Sequence, residues 1–251
     1  MEQYTSLAEY YDKLNSEVDY GSLAASISGV FERYCALPGK SISSVLDLGC
    51  GTGSLTLALH KAGFDMTAVD ISEEMLAEAF EKTAKAGVDG ILYLCQDMTS
   101  FELYGTVEGV VCCFDSLNYL TDEADLDKCF ALVRNYLEKG GVFYFDMNTP
   151  YKFENVYGCN DYIIEADGVY CGWQNSYDPE SGICEFALDI FAEGKDGSYR
   201  RFSEEHYEKR YELEAVRALL EKNGFDCRVF SDPNAEHPAS DEDERWYFVC
   251  V

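Results

Sequence analysis

The residues best suited to chemistry lie in a glycine-rich stretch, residues 45–54 (VLDLGCGTGS). A short apolar run ends in Asp47, and three glycines follow at alternate positions. Glycine adopts positive φ readily and lets a ligand approach the main chain closely. A helix that starts directly after such a loop directs its unpaired N–H groups and the positive end of its dipole at that ligand. The stretch predicts a buried strand, a ligand-binding loop at Gly49, Gly51 and Gly53, and a helix over residues 55–60.

Three further acidic residues come at the ends of predicted strands. Asp70 ends the second strand, Asp97 ends the third and Asp115 follows the fourth. Apolar residues three and four positions apart indicate helices between them. Alternating strands and helices predict a doubly wound parallel sheet, in which ligands bind at the carboxyl ends of the strands. We expect the loop and these acids to form one site. The strands lie in residues 64–72, 91–98, 107–120 and 137–148, and the helices in residues 72–86 and 122–138.

The pattern changes in the second half of the chain. Residues 151–211 are rich in aromatic residues and turn signals, which predicts an antiparallel meander. A helix at 213–222 and strands at 225–231 and 245–251 then return to the main sheet. We therefore predict an α/β fold, a doubly wound, mostly parallel seven-stranded sheet built from residues 1–150 and 212–251. The inserted antiparallel sheet follows the carboxyl end of the fifth strand, which is the edge where the ligand is expected to bind. We therefore expect this sheet to act as a lid that recognises the substrate.

The composition excludes several classes of partner. The net charge is −28, with 19 basic against 47 acidic residues, whereas phosphate recognition needs clustered Lys and Arg. Nucleic acid and anionic membranes are therefore unexpected partners. No apolar run reaches about 18 residues and no signal-like N-terminus is present, which predicts a cytoplasmic protein. The 11 cysteines lack CxxC spacing, so we expect reduced thiols, with neither a disulfide framework nor a zinc site.

This series of motifs resembles the class I S-adenosylmethionine-dependent methyltransferases over most of residues 1–148. The loop reads GxGxG, whereas nicotinamide enzymes, a weaker alternative, carry GxGxxG. The resemblance implies S-adenosylmethionine as cofactor and S-adenosylhomocysteine as product. It implies that Asp70 binds both ribose hydroxyls, that Ile71 and Met98 flank the adenine, and that Asp97 accepts from the adenine amino group. The other cofactor-binding residues that we expect are Tyr11, Tyr20, Asp47, Gly49, Cys50, Gly51, Gly53, Met75, Cys113, Phe114 and Tyr119.

The inserted sheet, a tyrosine-rich N-terminus and the stretch CFDSLNYL are similar to the glycine N-methyltransferase group and to bacterial enzymes that N-methylate amino sugars. In that group the N-terminal segment folds over the cofactor, and Tyr11 and Tyr20 match tyrosines that approach the sulfonium. Asp115 matches a residue that faces the substrate. Asn148 and Tyr151 are assigned to the substrate site by the resemblance alone. The arginine that holds the glycine carboxylate has no counterpart in DMNTPYK after the fifth strand, which makes glycine a doubtful acceptor.

Methyl transfer is an in-line displacement, so the enzyme mainly aligns the reacting atoms and excludes water. A neutral amine or a partly deprotonated hydroxyl is required, and one base can help. His206 is the leading candidate, because strand alternation places it on one face with Glu204, Glu208 and Arg210 and histidine titrates near neutrality. The alternative is a His–Glu pair on a solvated face. We also count Tyr11 among the catalytic candidates.

Asp115 is expected to hold a substrate ammonium or accept its proton, or else to cap a turn. Trp173, with Tyr170 and Tyr177, predicts either an aromatic substrate pocket or the packed face of the sheet. No HxxxH, clustered histidines or Asp-Asp-Asn triad is present, which predicts metal-independent chemistry. We therefore expect a methyltransferase that acts on a small molecule, at an amine nitrogen. An O-methyltransferase and a cofactor-binding protein without turnover stay open as alternatives, as do the acceptor and the oligomeric state.

Overall fold

The computed structural model describes Tyr4 and residues 7–251. Its main sheet has seven strands in the order β10-β11-β5-β4-β1-β2-β3. The first five strands pair in parallel, and β11 pairs antiparallel with both β5 and β10. The predicted Rossmann-like, mostly parallel sheet is therefore confirmed. The strands are β1 (Ser44–Leu48), β2 (Asp65–Asp70), β3 (Leu92–Cys95), β4 (Val107–Cys112), β5 (Leu137–Asn148), β10 (Cys227–Phe230) and β11 (Arg245–Cys250).

Helices cover both faces of this sheet. On one face α5 and α6 bury residues such as Phe130 and Leu220 against the strands. On the other face α2 and α3 contribute Ile27, Phe31 and Leu59. Each helix shows the apolar stripe that burial against a sheet requires. The helices are α1 (Ala8–Leu14), α2 (Tyr20–Tyr34), α3 (Ser54–Lys61), α4 (Glu73–Lys85), α5 (Glu123–Tyr136) and α6 (Leu213–Lys222), with a 3₁₀ turn at Ser116–Tyr119 after β4.

A second, four-stranded antiparallel sheet is inserted after β5, in the order β6-β7-β8-β9. Its last three strands match the predicted meander, whereas the short β6 was not predicted. Alternation turns Trp173 and Phe186 to the inner face and Tyr170 to the outer face, where Tyr170 is 39% exposed. The predicted inclusion of Tyr170 in an aromatic pocket is therefore wrong. The strands are β6 (Tyr162–Ala166), β7 (Val169–Asp178), β8 (Ile183–Glu193) and β9 (Tyr199–Lys209).

One pair of cysteines departs from the expected reduced state. Cys227 and Cys250 lie opposite each other on the antiparallel strands β10 and β11 and form a disulfide bond. The prediction of reduced thiols throughout is wrong for this pair, because strand register rather than sequence spacing brings the two residues together. Among the other described side chains, eight cysteines are free, and most of these are buried. Of the described helices, none combines the length and apolar character that a bilayer crossing needs.

Gly53 controls the junction between the glycine loop and α3. It has a φ of 69°, which a residue with a side chain adopts only with strain. A Cβ atom at this position would lie 2.9 Å from the Ala79 Cβ and from the Tyr93 hydroxyl. The third glycine of the loop therefore allows α3 to start close against α4 and β3.

Replacing Gly53 with alanine is expected to lower the free energy of unfolding by about 1–3 kcal/mol, from backbone strain and the close contact with Ala79. The control is Gly29→Ala inside α2, where an added Cβ meets nothing within 4 Å. This second change should raise the free energy of unfolding by about 0.5–1 kcal/mol, because alanine favours helix. Urea unfolding followed by circular dichroism measures both. Equal stability of the two variants would contradict this account of the loop.

Candidate active site

A cavity of about 280 Å³ lies over the carboxyl ends of β1, β2, β3 and β4. The structure brings together here nearly all the residues that were predicted to bind a cofactor. Gly53 is the exception, since it packs behind the loop and does not line the cavity. The predicted residues that line the cavity are Tyr11, Tyr20, Asp47, Gly49, Cys50, Gly51, Asp70, Ile71, Met75, Asp97, Met98, Cys113, Phe114 and Tyr119.

Asp70 is fixed at the cavity by main-chain amides. The Gly51 N–H donates to Oδ2 at 2.7 Å and the Ser72 N–H donates to Oδ1 at 2.9 Å. Each carboxylate oxygen keeps acceptor capacity for a second donor, so the pair suits a vicinal diol. Burial raises the pKa of Asp70. A Cβ on Gly51 would meet nothing within 4 Å, which shows that this part of the loop borders open space.

Asp47 and Asp97 both line this cavity, in different environments. Asp47 is 2% exposed and accepts from the Thr56 hydroxyl at 2.5 Å. Its burial raises its pKa to about 7. The Asp97 Oδ1 accepts from the N–H and the hydroxyl of Thr99 at 2.7 and 2.8 Å. The Asp47 side chain therefore ties the end of β1 to α3 behind the glycine loop, while the Asp97 side chain is bonded within its own turn.

A second cavity, of about 430 Å³, adjoins the first. It lies between the N-terminal helices, the inner face of the inserted sheet and the ends of β4, β5 and β11. The two cavities share the side chains of four residues, Tyr4, Tyr11, Phe114 and Tyr119. Among the predicted substrate residues, Asp115, Trp173 and His206 line it. Asn148 and Tyr151 line neither cavity. A substrate in the second cavity would therefore not touch the two residues that were assigned by resemblance.

An ion-pair cluster occupies the floor of the second cavity. Phe114 and Asp115 have φ angles of 59° and 55°, and both of their N–H groups donate to the Asp146 carboxylate at 2.9 Å. Arg245 contacts Asp146 through Nη1 and donates to the Asp115 Oδ1 through Nη2 at 2.6 Å. Burial alone would raise the pKa of Asp115, but the charges of Arg245 and Lys152 hold it below its ordinary value. Asp115 is therefore an ionised carboxylate.

Glu208 lies next to Asp115 in this cluster, and its pKa is shifted in the opposite direction. It is 3% exposed, and its Oε2 accepts from the Asn148 Nδ2 at 2.9 Å. Burial and the nearby negative charge of Asp115 raise the pKa of Glu208 well above its ordinary value. Asn148 also accepts from the Lys152 Nζ at 3.0 Å. Asn148 thus positions Glu208 rather than facing the cavity itself.

His206 lies on the inner face of β9 and is 2% exposed. Its Nε2 lies 3.2 Å from the Glu204 Oε2, and its ring packs edge-on against Tyr4 at a centroid distance of 4.5 Å. Among the described residues its Nδ1 has no hydrogen-bond partner. The His–Glu pairing considered from the sequence is present, but the solvated face is wrong, because the inserted sheet turns this face towards the cavity.

The N-terminal segment covers both cavities. The N–H groups of Tyr4 and Leu7 donate to Glu204 at 3.0 and 2.9 Å. In α1, the Asp12 Oδ1 accepts from the Thr52 hydroxyl at 2.7 Å, and its Oδ2 pairs with the Lys82 Nζ at 2.6 Å. These bonds tie the segment to the inserted sheet on one side and to the glycine loop on the other.

Among the polar residues of the site, Tyr4, Asp146 and Arg245 were not predicted, and Glu208 was placed on the face of His206 but given no role. Asp146 carried a usable signal, since it approaches the carboxyl end of its strand as Asp70 does. The other three come from distant segments that only the fold brings together. Within the described part of the chain, no group of three or more His, Cys, Asp or Glu side chains is arranged to hold a metal ion.

Comparison with known proteins identifies the family. Residues 45–141 match a family model described as a methyltransferase domain. A protein of Geobacillus sp. (strain WCH70) that carries a methyltransferase name is 33% identical over 98% of each chain. The crystal structure of an S-adenosylmethionine-dependent methyltransferase from Clostridium acetobutylicum superposes with a TM-score of 0.85 at 31% identity, covering 99% of this chain and 98% of the other.

A third relative is a glycine/sarcosine N-methyltransferase from Halorhodospira halochloris, which is 28% identical to this chain. The alignment covers 96% of this chain and 86% of the relative. The match spans the inserted sheet as well as the glycine loop. The chain therefore belongs to the class I S-adenosylmethionine-dependent methyltransferases, and S-adenosylmethionine is its cofactor.

Proposed function

We propose that this enzyme transfers the methyl group of S-adenosylmethionine to an amine nitrogen of a small molecule. One observation carries the proposal. The two cavities meet at Tyr4, Tyr11, Phe114 and Tyr119, and the ionised Asp115 directly follows this junction. A carboxylate next to the transfer point suits an acceptor that arrives as an ammonium ion.

The side chains that line the first cavity are arranged for one orientation of the cofactor. Asp70 would accept from both ribose hydroxyls, and Asp97 from the adenine amino group between Ile71 and Met98. The methionine end would then lie along the glycine loop, with the sulfonium near Tyr11 and Tyr119. When bound, the cofactor supplies an electrophilic methyl group. The aromatic residues at the junction exclude water from it.

On the acceptor side, Asp115 would hold the ammonium while Glu208, as a neutral carboxyl group, accepts a second N–H bond. The amine must lose one proton before it attacks, and His206 is the base that we propose to receive it. The neutral amine would then be the nucleophile for the methyl group that the bound cofactor supplies, with S-adenosylhomocysteine as the leaving group. The protein's main contribution is to align these atoms.

The charge and the shape of the protein favour a small acceptor. The net charge of −28 opposes binding of nucleic acid or of an anionic membrane, and the acceptor cavity is walled on several sides. We propose that residues 151–211 work as a lid that selects this acceptor, and that the enzyme acts in the cytoplasm.

Asp70→Ala is expected to weaken binding of S-adenosylhomocysteine by about 100-fold or more, because two charge-assisted hydrogen bonds to ribose are lost. Asp65→Ala removes an exposed aspartate at the other end of β2 and should leave the affinity unchanged. Isothermal titration calorimetry measures both variants against the wild type. Unchanged affinity in Asp70→Ala would contradict the proposed orientation of the cofactor.

His206→Gln should lower kcat by about 100-fold or more if His206 receives the proton, while the Kd for S-adenosylhomocysteine stays near that of the wild type. Release of S-adenosylhomocysteine with an amine acceptor provides the readout for kcat. A variant that keeps the wild-type kcat would assign His206 a structural role.

Asp115→Asn and Glu208→Gln form a matched pair that tests the protonation states in the floor of the cavity. Glutamine mimics the neutral Glu208, so Glu208→Gln should keep kcat/KM within about tenfold of the wild type at neutral pH. Asp115→Asn removes the charge that holds the ammonium and pairs with Arg245, and should raise KM for the amine by about 100-fold. Steady-state kinetics distinguishes the two. A larger loss in Glu208→Gln would show that Glu208 acts as the carboxylate.

A further inference from the structure

We infer that the acceptor is an amine with an apolar, uncharged body, and that it is neither an amino acid nor a nucleotide-linked amino sugar. The inference rests on the proposed N-methyltransferase function and specifies the substrate class of that same cavity. It follows from how the second cavity distributes apolar and charged groups over its walls.

The walls away from the junction are apolar on two sides. The inner face of the inserted sheet contributes Trp173, Phe186 and Leu188, and the N-terminal helices and their connection contribute Leu14, Val18 and Leu23. Such surfaces gain free energy when they bury a matching apolar group, by roughly 25 cal/mol per Å². Apart from the Trp173 Nε1, which has no hydrogen-bond partner among the described residues, these six side chains have no polar atom that could replace the water lost by a hydroxylated sugar ring.

The charged groups are confined to the floor, beside the transfer junction. Asp115, Asp146 and Arg245 contact one another there, and Glu208 lies next to Asp115. A ligand that enters with its amine towards the cofactor therefore meets carboxyl groups first, while the rest of its body lies against the apolar walls. This arrangement separates a cationic head from an apolar body.

An anionic group on the acceptor finds no place in this cavity. Among the described residues that line it, Arg245 is the sole lysine or arginine, and both of its terminal nitrogens are engaged by Asp115 and Asp146. A substrate carboxylate or diphosphate would have to compete with these two acids for one guanidinium. Like charges at such distances disfavour binding, so glycine and nucleotide sugars are both excluded.

The size of the cavity points in the same direction. A volume of about 430 Å³ falls within the range of roughly 300–1,000 Å³ that holds drug-sized ligands. An acceptor as small as glycine would leave most of the apolar wall uncovered. An arylalkylamine of the size of phenethylamine or larger fills both the charged floor and the apolar part.

The test is a set of acceptors offered to the wild-type enzyme with S-adenosylmethionine, namely phenethylamine, 2-phenylethanol, glycine, sarcosine and a thymidine-diphosphate amino sugar. Release of S-adenosylhomocysteine and the mass of the product are measured. We expect kcat/KM for phenethylamine to exceed that for glycine by 100-fold or more. Equal or better turnover of glycine, sarcosine or the nucleotide sugar would overturn the inference but keep the N-methyltransferase function. Methylation of 2-phenylethanol alone, or of no acceptor, would overturn both.

Two matched variants test whether the inner face of the inserted sheet selects the acceptor, or whether the loss of any aromatic ring from this sheet has the same effect. Trp173→Leu should lower kcat/KM for phenethylamine by about tenfold or more, because a contact in the acceptor cavity is lost, and leave the affinity for S-adenosylhomocysteine unchanged. Phe191→Leu alters a 38% exposed ring on the outer face of the same sheet and should change neither. Equal kcat/KM values for the two variants would show that the inner face does not select the acceptor.

Discussion

The Asp146 carboxylate is the group on which the rest of the site depends. It accepts from the main chain of Phe114 and Asp115 and pairs with Arg245, so it anchors the loop after β4 in the left-handed region. That conformation costs about 1–3 kcal/mol for each residue with a side chain, and charge-assisted hydrogen bonds of this kind offset it. The result is a loop that places the Phe114 ring in both cavities and the Asp115 carboxylate in one.

The acidic residues at the floor of the second cavity tolerate one another because the pKa values of Asp115 and Glu208 are shifted in opposite directions. Three carboxyl groups face Arg245 and Lys152, and full ionisation would leave one negative charge uncompensated, which is costly away from water. Burial and the charge of Asp115 instead raise the pKa of Glu208, while Arg245 and Lys152 lower the pKa of Asp115. The cluster therefore contains both a hydrogen-bonding acid and a carboxylate within one small region.

The sequence predicted those parts of the site that belong to a single strand and the loop after it. Gly49, Gly51, Asp70 and Asp97 follow this rule, because parallel strands align their carboxyl ends. The same rule wrongly predicted that Gly53 contacts the cofactor, since Gly53 packs behind the loop. Glu208 was placed beside His206 by strand alternation, whereas its position next to Asp115 depends on how the inserted sheet packs on the main sheet. Arg245 escaped prediction because it lies on an antiparallel strand far along the chain. The Cys227–Cys250 disulfide did so for the same reason, since strand register is a property of the fold and not of local spacing.

The hydrogen bonds from the N-terminal segment to Glu204 have a consequence for turnover. The same segment is bonded through Asp12 to the glycine loop, and Tyr4 and Tyr11 border both cavities. A displacement of this one segment therefore changes access to the cofactor cavity and to the acceptor cavity at the same time. Where release of the products needs such a displacement, its rate limits the number of catalytic cycles per second.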